Sequence, residues 1–179
     1  MKNAKLIPAE EFITTEWSGG TTTELAIGPV GSSYAERRFA YRISSAMVEL
    51  ESSVFTRLEG VTRYLTPLCR GFSLTVNGEK KELPRGEVLL FSGEDDVACE
   101  GSGRDLNLML KGAAGNMKYV EGLFSVYDCD RAFLFCPEET DLQSGGEAET
   151  VPAGGFLKLD KGGFEVSKPA VLFLIEERT

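Results

Sequence analysis

The chain has 179 residues, 42% of them hydrophobic and 26% charged, and it contains no histidine. Its formal charge of −9 opposes nucleic acids and acidic membranes, and no basic stripe offsets it. The missing histidine excludes Ser-His-Asp triads, Cys-His dyads, imidazole acid–base catalysis and histidine-built metal sites together.

In chain order, residues 5–7 read as a short strand and residues 8–11 as a turn. Residues 14–24 read as a loop around Trp17, Gly19 and Gly20 that leads into a strand at residues 25–27. Trp17 either caps the core or forms one wall of a pocket, with the two glycines letting backbone approach a ligand. Ser18-Gly19-Gly20-Thr21 lacks the lysine and the glycine spacing of a phosphate loop, so a nucleotide site is rejected.

Residues 28–33 carry turn chemistry, and residues 39–48 alternate as a long strand. Phe39, Tyr41 and Ile43 share one face of it; Ala40, Arg42, Ser44 and Ala46 share the other, which either meets water or lines a cavity. Residues 52–56 read as a loop. In the strand at residues 61–66, Arg63 falls on the same face as Val61 and Leu65. A guanidinium in an apolar stripe must be paired or reach an anion, so Arg63 either closes a core salt bridge or binds an anion in a pocket.

Phe72, Leu74 and Val76 alternate with Ser73 and Thr75, and Asn77-Gly78 then suits a tight hairpin turn. A return strand to Leu83, a turn at Pro84-Arg85-Gly86 and an apolar strand at residues 88–91 complete a meander. Glu94-Asp95-Asp96 reads as a solvated loop and not as a carboxylate metal site, although a hard cation is its chemical alternative. In residues 104–110, Leu106, Leu108 and Leu110 form the apolar face, with Asp105, Asn107 and Met109 opposite; pairing of Asp105 with Arg42 or Arg63 would be economical. Further strands are expected at residues 117–126, 132–135, 156–159 and 170–175, with a loop at residues 143–146 and a hairpin at Lys161-Gly162-Gly163. No constellation in this half suggests chemistry.

About a dozen short strands with glycine-rich turns predict an all-β sandwich or barrel in one domain, residues 1–179. No apolar run is long enough to span a membrane as a helix, and Met1 to Pro8 lacks the apolar centre of a signal peptide. A cytoplasmic protein is expected, with Cys69, Cys99, Cys129 and Cys136 reduced and read as small buried core residues. No metal and no other cofactor is expected.

The meander resembles the cupin core. Leu83-Pro84-Arg85-Gly86-Glu87, followed by apolar residues up to Gly93, fits the pattern in which a glycine and an acidic residue precede a short strand. Metal-binding cupins set histidines and a glutamate around this meander; here residues 56–64 and 94–97 hold no histidine, and the glutamate position falls near Arg63-Tyr64. More specifically, the chain is similar to the HutD/Ves family of cupin-like proteins. The matching pieces are Trp17-x-Gly19-Gly20-x-Thr22-x-Glu24, Phe39-x-x-Arg42-Ile43-Ser44-x-Ala46, Phe55-Thr56, Gly60-x-x-Arg63, Phe91-x-Gly93 and Asp105-x-Asn107-x-Met109. They lie in the family's order within residues 12–111. The Trp17 to Glu24 segment is shorter than in many relatives, and Leu106 replaces a usual phenylalanine.

The resemblance implies an all-β, cupin-like double-stranded β-helix, or jelly-roll barrel, either alone or in a bicupin-like arrangement of two packed β halves. It also implies a regulatory or ligand-sensing role in histidine utilisation, without a catalytic mechanism, and small acids such as urocanate or formylglutamate as ligands. Trp17, Arg42, Ser44, Arg63, Asp105 and Asn107 are the expected ligand-binding residues, with Trp17 as a wall and the arginines as anion receptors. The alternatives are a metal-independent isomerase or lyase with Asp105 or Tyr64 as base, and a structural or protein-interaction module. Sheet edges need covering, which favours a homodimer.

Overall fold

The computed structural model describes residues 1–177. Seventeen strands follow one another among these residues. The first six are β1 (Ala4–Leu6), β2 (Ile13–Trp17), β3 (Gly20–Gly28), β4 (Tyr41–Val48), β5 (Ser52–Val54) and β6 (Thr62–Pro67). Next come β7 (Phe72–Val76), β8 (Glu79–Leu83), β9 (Leu89–Ser92), β10 (Val97–Glu100) and β11 (Gly103–Leu110). The last are β12 (Ala114–Val126), β13 (Arg131–Cys136), β14 (Thr140–Ser144), β15 (Glu147–Val151), β16 (Gly155–Leu159) and β17 (Gly162–Glu176). A single 3-10 turn at Ala9–Glu11 is the one helical element among the described residues. The strands divide between two compact units, Phe12–Ala113 and Met1–Glu11 with the chain from Ala114 onward.

The Phe12–Ala113 unit is a jelly-roll barrel of two antiparallel sheets. One has six strands in the order β2-β3-β4-β11-β6-β9, the other four in the order β5-β10-β7-β8. Its apolar core draws Leu65 and Phe91 from the first sheet and Phe72, Leu74, Val97 and Cys99 from the second. The meander folds as its alternation and turn chemistry predict: Asn77 and Gly78 both adopt positive φ, at 51° and 85°, and join β7 to β8 through a two-residue turn.

Residues 14–24 form a hairpin where a loop is expected. Strand β2 pairs with β3 from Ile13 opposite Glu24 to Trp17 opposite Gly20. The two glycines make this possible by admitting other parts of the protein instead of a ligand. A Cβ on Gly20, whose φ is +146°, would stand 1.9 Å from the Met47 carbonyl oxygen, and one on Gly19 would stand 2.0 Å from the Trp17 ring. Residues 52–54 also extend into a strand, β5, through pairing with β10. The expected strand at residues 39–48 begins at Tyr41, with the Ala40 backbone still donating to the Gly28 carbonyl at the end of β3.

The other unit is one curled seven-stranded sheet. Strands β1-β16-β13-β17-β14-β15 lie in that order, with β12 added along β17. The sheet wraps around Leu134, Leu142, Leu157, Phe164, Val166 and Leu172. Gly145 and Gly146 form the β14–β15 turn with φ of 61° and 83°, within the expected loop. The Lys161-Gly162-Gly163 hairpin does not form: β16 pairs with β1 and β13, while β17 runs unbroken from Gly162 against β12, β13 and β14. The cysteines also divide. Cys99 and Cys136 are buried as expected, but Cys129 is half-buried and Cys69 is exposed in the turn before β7.

Candidate functional site

The barrel interior is filled at one end by the apolar core and left open at the other. The open end is a cavity of about 390 Å³, within the size range of small-molecule sites, and every residue lining it belongs to the barrel unit. The alternation of β4 and β11 builds its floor. Strand register sets Asp105 opposite Ala46, Asn107 opposite Ser44 and Met109 opposite Arg42, so all six side chains share the inner face. Strand β6 adds Arg63, which is also opposite Met109. The other face of β11 carries the fully buried Leu106 and Leu108.

All six expected site residues, Trp17, Arg42, Ser44, Arg63, Asp105 and Asn107, line this one cavity. Trp17, 41% exposed, stands at its mouth. The polar face of β4 therefore lines a cavity and does not meet bulk water. Tyr64, the other residue considered as a base, pairs in register with Leu108 on the opposite face and lies outside the lining.

The two arginines of the floor have different surroundings. Arg42 Nε donates to Glu24 Oε2 at 2.7 Å, its Nη1 donates to Ser44 Oγ at 3.3 Å, and its guanidinium lies 4.0 Å from the Tyr34 ring centre. Glu24 lies opposite Ser44, diagonal to Arg42, and beyond a β-bulge between Glu24 and Ala26 it is Ile27 that stands opposite Arg42. Arg63 has no such carboxylate. Its Nη1 and Nη2 donate long hydrogen bonds, both 3.4 Å, to the Thr56 carbonyl and Asn107 Oδ1, and its Nε has no partner among the described residues. The Phe55 and Phe91 rings lie 5.0 and 5.1 Å from it, favourable for a cation but unable to replace water fully. Burial accordingly lowers the Arg63 pKa to about 10, which leaves it charged at neutral pH.

Asp105 pairs with neither arginine. Its Oδ1 accepts no hydrogen bond among the described residues. Burial pushes its carboxyl up to about 7, against the pull of the Ala46 backbone N–H and the Arg63 and Arg104 charges. The floor therefore presents a cation without a counter-ion and a carboxyl poised between its two protonation states.

Several contributors escape sequence reasoning. Tyr34 and Arg37 reach the cavity from the segment between β3 and β4, and the Arg37 guanidinium lies 4.4 Å from the Tyr34 ring centre. Phe55, Thr56 and Met109 complete the inner wall. Met109 carried a usable signal in its alternation with Asp105 and Asn107, and Phe55-Thr56 in the family pattern, whereas Tyr34 and Arg37 carried none. No group of acidic or cysteine side chains among the described residues is arranged to hold a metal ion. No helix among them is long and apolar enough to cross a membrane.

A two-sheet jelly roll that keeps a polar cavity inside one end is a cupin-like barrel. The HutD family model matches residues 9–165, most of the chain, and the protein belongs to the HutD family. In solved structures the fold resembles HutD from Pseudomonas fluorescens SBW25, with 23% identity, a TM-score of 0.82 and coverage of 98% of this chain and 100% of that one. It likewise resembles a conserved protein of unknown function from Pseudomonas aeruginosa PAO1, at 22% identity and a TM-score of 0.76 over 97% of each chain. A cupin 2 conserved barrel domain protein from Leptotrichia buccalis shares 12% identity with a TM-score of 0.60, covering 99% of this chain and 98% of that one. No curated protein matched the sequence.

Proposed function

We propose that the barrel cavity binds a small carboxylate without metal and without turnover. The single observation behind this reading is Arg63: a buried guanidinium with two long hydrogen bonds and no carboxylate partner among the described residues. A ligand carboxylate entering the cavity supplies the missing charge through charge-assisted hydrogen bonds, where little water competes. Arg42, already neutralised by Glu24, holds Ser44 and Tyr34 in place around the incoming group.

Within this reading the chain is a cytoplasmic sensor or regulator linked to histidine utilisation, and urocanate and formylglutamate are its candidate ligands. A homodimer that covers the exposed edge strand β2 belongs to the same proposal. Calorimetric titration and thermal unfolding with urocanate, formylglutamate and formate test the ligand. Formate is included because the Pseudomonas fluorescens HutD structure is described as a formate condition. One acid should raise the melting temperature, equally with and without a chelator, and Arg63→Met should abolish the shift. A ligand at about a hundred times its Kd adds roughly 2.7 kcal/mol, which is readily measured. Silence from all of these acids, or a shift unchanged in Arg63→Met, defeats the reading.

One observation favours a second reading. Asp105, held at about 7 beside a cation, is suited to move a proton in an isomerase or lyase without metal. Incubation of a bound acid in heavy water distinguishes the two, because only the enzyme exchanges a carbon-bound hydrogen of its substrate.

A further inference from the structure

The carboxylate reading uses Arg63 and leaves Asp105 without a task. Asp105 is 4% exposed, lines the same cavity and sits two positions from Asn107, the residue that holds Arg63. Its Oδ1 accepts nothing among the described residues, so one cavity holds an open buried acceptor and, in Arg63 Nε, an open buried donor. Strand register sets them apart, Arg63 opposite Met109 and Asp105 opposite Pro67, so a ligand can meet both. A carboxylate alone, bound at Arg63, would bring a second negative charge beside Asp105 and leave its oxygen unanswered. The charges around the cavity point the same way. Arg42 is matched by Glu24, so Arg63 is the buried guanidinium of the lining that lacks a carboxylate partner among the described residues, and a single ligand carboxylate answers it.

We propose that the ligand is a monocarboxylic acid that also carries an uncharged N–H donor, and that ionised Asp105 accepts this N–H while Arg63 holds the carboxylate. The inference rests on the carboxylate reading and adds its selectivity. A site built around an open acceptor rejects an analogue that lacks the donor, because the carboxylate oxygen is then buried unpaired.

Two matched pairs of acids test it by titration calorimetry at pH 7: pyrrole-2-carboxylate against furan-2-carboxylate, and N-acetylglycine against N-acetylsarcosine. Within each pair the members differ by one N–H. The wild-type protein should bind the N–H member of at least one pair about tenfold more tightly. That binding should release protons, seen by repeating the titration in buffers of different ionisation enthalpy, because an N–H donor favours the ionised carboxylate. Asp105→Leu should level the pair, with the N–H-free member binding at least as tightly as it does to the wild type, because the opposing charge is gone. If Asp105→Leu fails to fold, Asp105→Asn replaces it; its amide offers either a donor or an acceptor, so the preference should shrink. Equal binding within both pairs overturns the inference and leaves the carboxylate reading standing. So does tighter binding of the N–H-free acid with proton uptake, or a preference that survives loss of the Asp105 carboxylate. If none of the four acids binds, the inference falls, and the carboxylate reading falls with it where urocanate, formylglutamate and formate are silent as well.

Discussion

Arg42 and Arg63 flank Met109 in one row of the six-stranded sheet, and only Arg42 has a carboxylate partner. The row brings two guanidiniums to a single cavity floor, and strand order decides which is neutralised, because β3, which carries Glu24, adjoins β4 and not β6. Glu24 reaches Arg42; nothing comparable reaches Arg63 among the described residues.

This asymmetry makes Arg63 removable. A buried charge without a counter-ion costs desolvation that its two long hydrogen bonds offset poorly, so an apolar residue of similar length should be tolerated. Arg63→Met is expected to leave stability unchanged or raise it by about 1 kcal/mol, as read by urea unfolding. A loss beyond about 2 kcal/mol would mean that Arg63 is a structural residue, contrary to its proposed role.

Glu24→Gln should behave in the opposite way. It leaves Arg42, whose side chain is 7% exposed, without its carboxylate at 2.7 Å. Breaking a buried pair from one side costs about 3 kcal/mol, and a double variant, Glu24→Gln with Arg42→Met, should recover part of it. Denaturation of the four proteins gives the coupling energy, and additive effects would mean that the pair is inert.

Asp105 predicts a pH dependence of stability. In the folded chain it holds its proton up to about pH 7, whereas an unfolded aspartate releases it near 3.9. Between these values the native state binds more protons, so Asp105 makes stability fall as pH rises from about 4 to about 7, by at most about 1.4 kcal/mol per pH unit, and then level off. Asp105→Asn removes this contribution. Its stability relative to the wild type should therefore grow across that window, measured by urea unfolding at several pH values; a constant difference contradicts the raised pKa.

Gly20→Ala places a methyl group 1.9 Å from the Met47 carbonyl oxygen at a φ of +146°. We expect a loss of more than about 2 kcal/mol and a separated β2–β3 hairpin. Trp17, paired with Gly20, should report the separation as a red-shifted emission.

Trp17 is the single tryptophan, and it stands half-exposed at the cavity mouth. A bound acid that excludes water from the cavity should shift its emission to shorter wavelength, saturating with the Kd found by calorimetry. An emission unchanged at saturation would remove Trp17 from the wall of the site.

Strand alternation is a local property, and the features that depend on it alone were legible without the structure. A period of two places Arg42 with Ser44, Arg63 with Leu65, and Asp105 with Asn107 and Met109, whatever lies across the sheet. The Asn77-Gly78 turn is equally local, since its positive φ values are set by the two residues themselves. The loop expected at residues 14–24 is instead a hairpin, β2 and β3 pairing through a two-residue turn, and what no local pattern shows is that β4 lies along β3, with Gly20 pressed against the Met47 backbone. The Lys161-Gly162-Gly163 hairpin failed because β16 and β17 find other neighbours.

The sequence by itself determined an all-β chain and which polar side chains share a face, because these follow from residue type and short-range periodicity, and its motifs carried the resemblance to the HutD family. That the shared face turns inward is a matter of tertiary structure. Only the tertiary structure decided which charges meet. Glu24 and Arg42 lie 18 residues apart and meet across neighbouring strands, while Arg63 and Asp105 share a cavity without pairing. Ion pairing depends on separations of a few ångströms between strands that no local pattern encodes, and that geometry leaves one cation and one acceptor open within the same barrel.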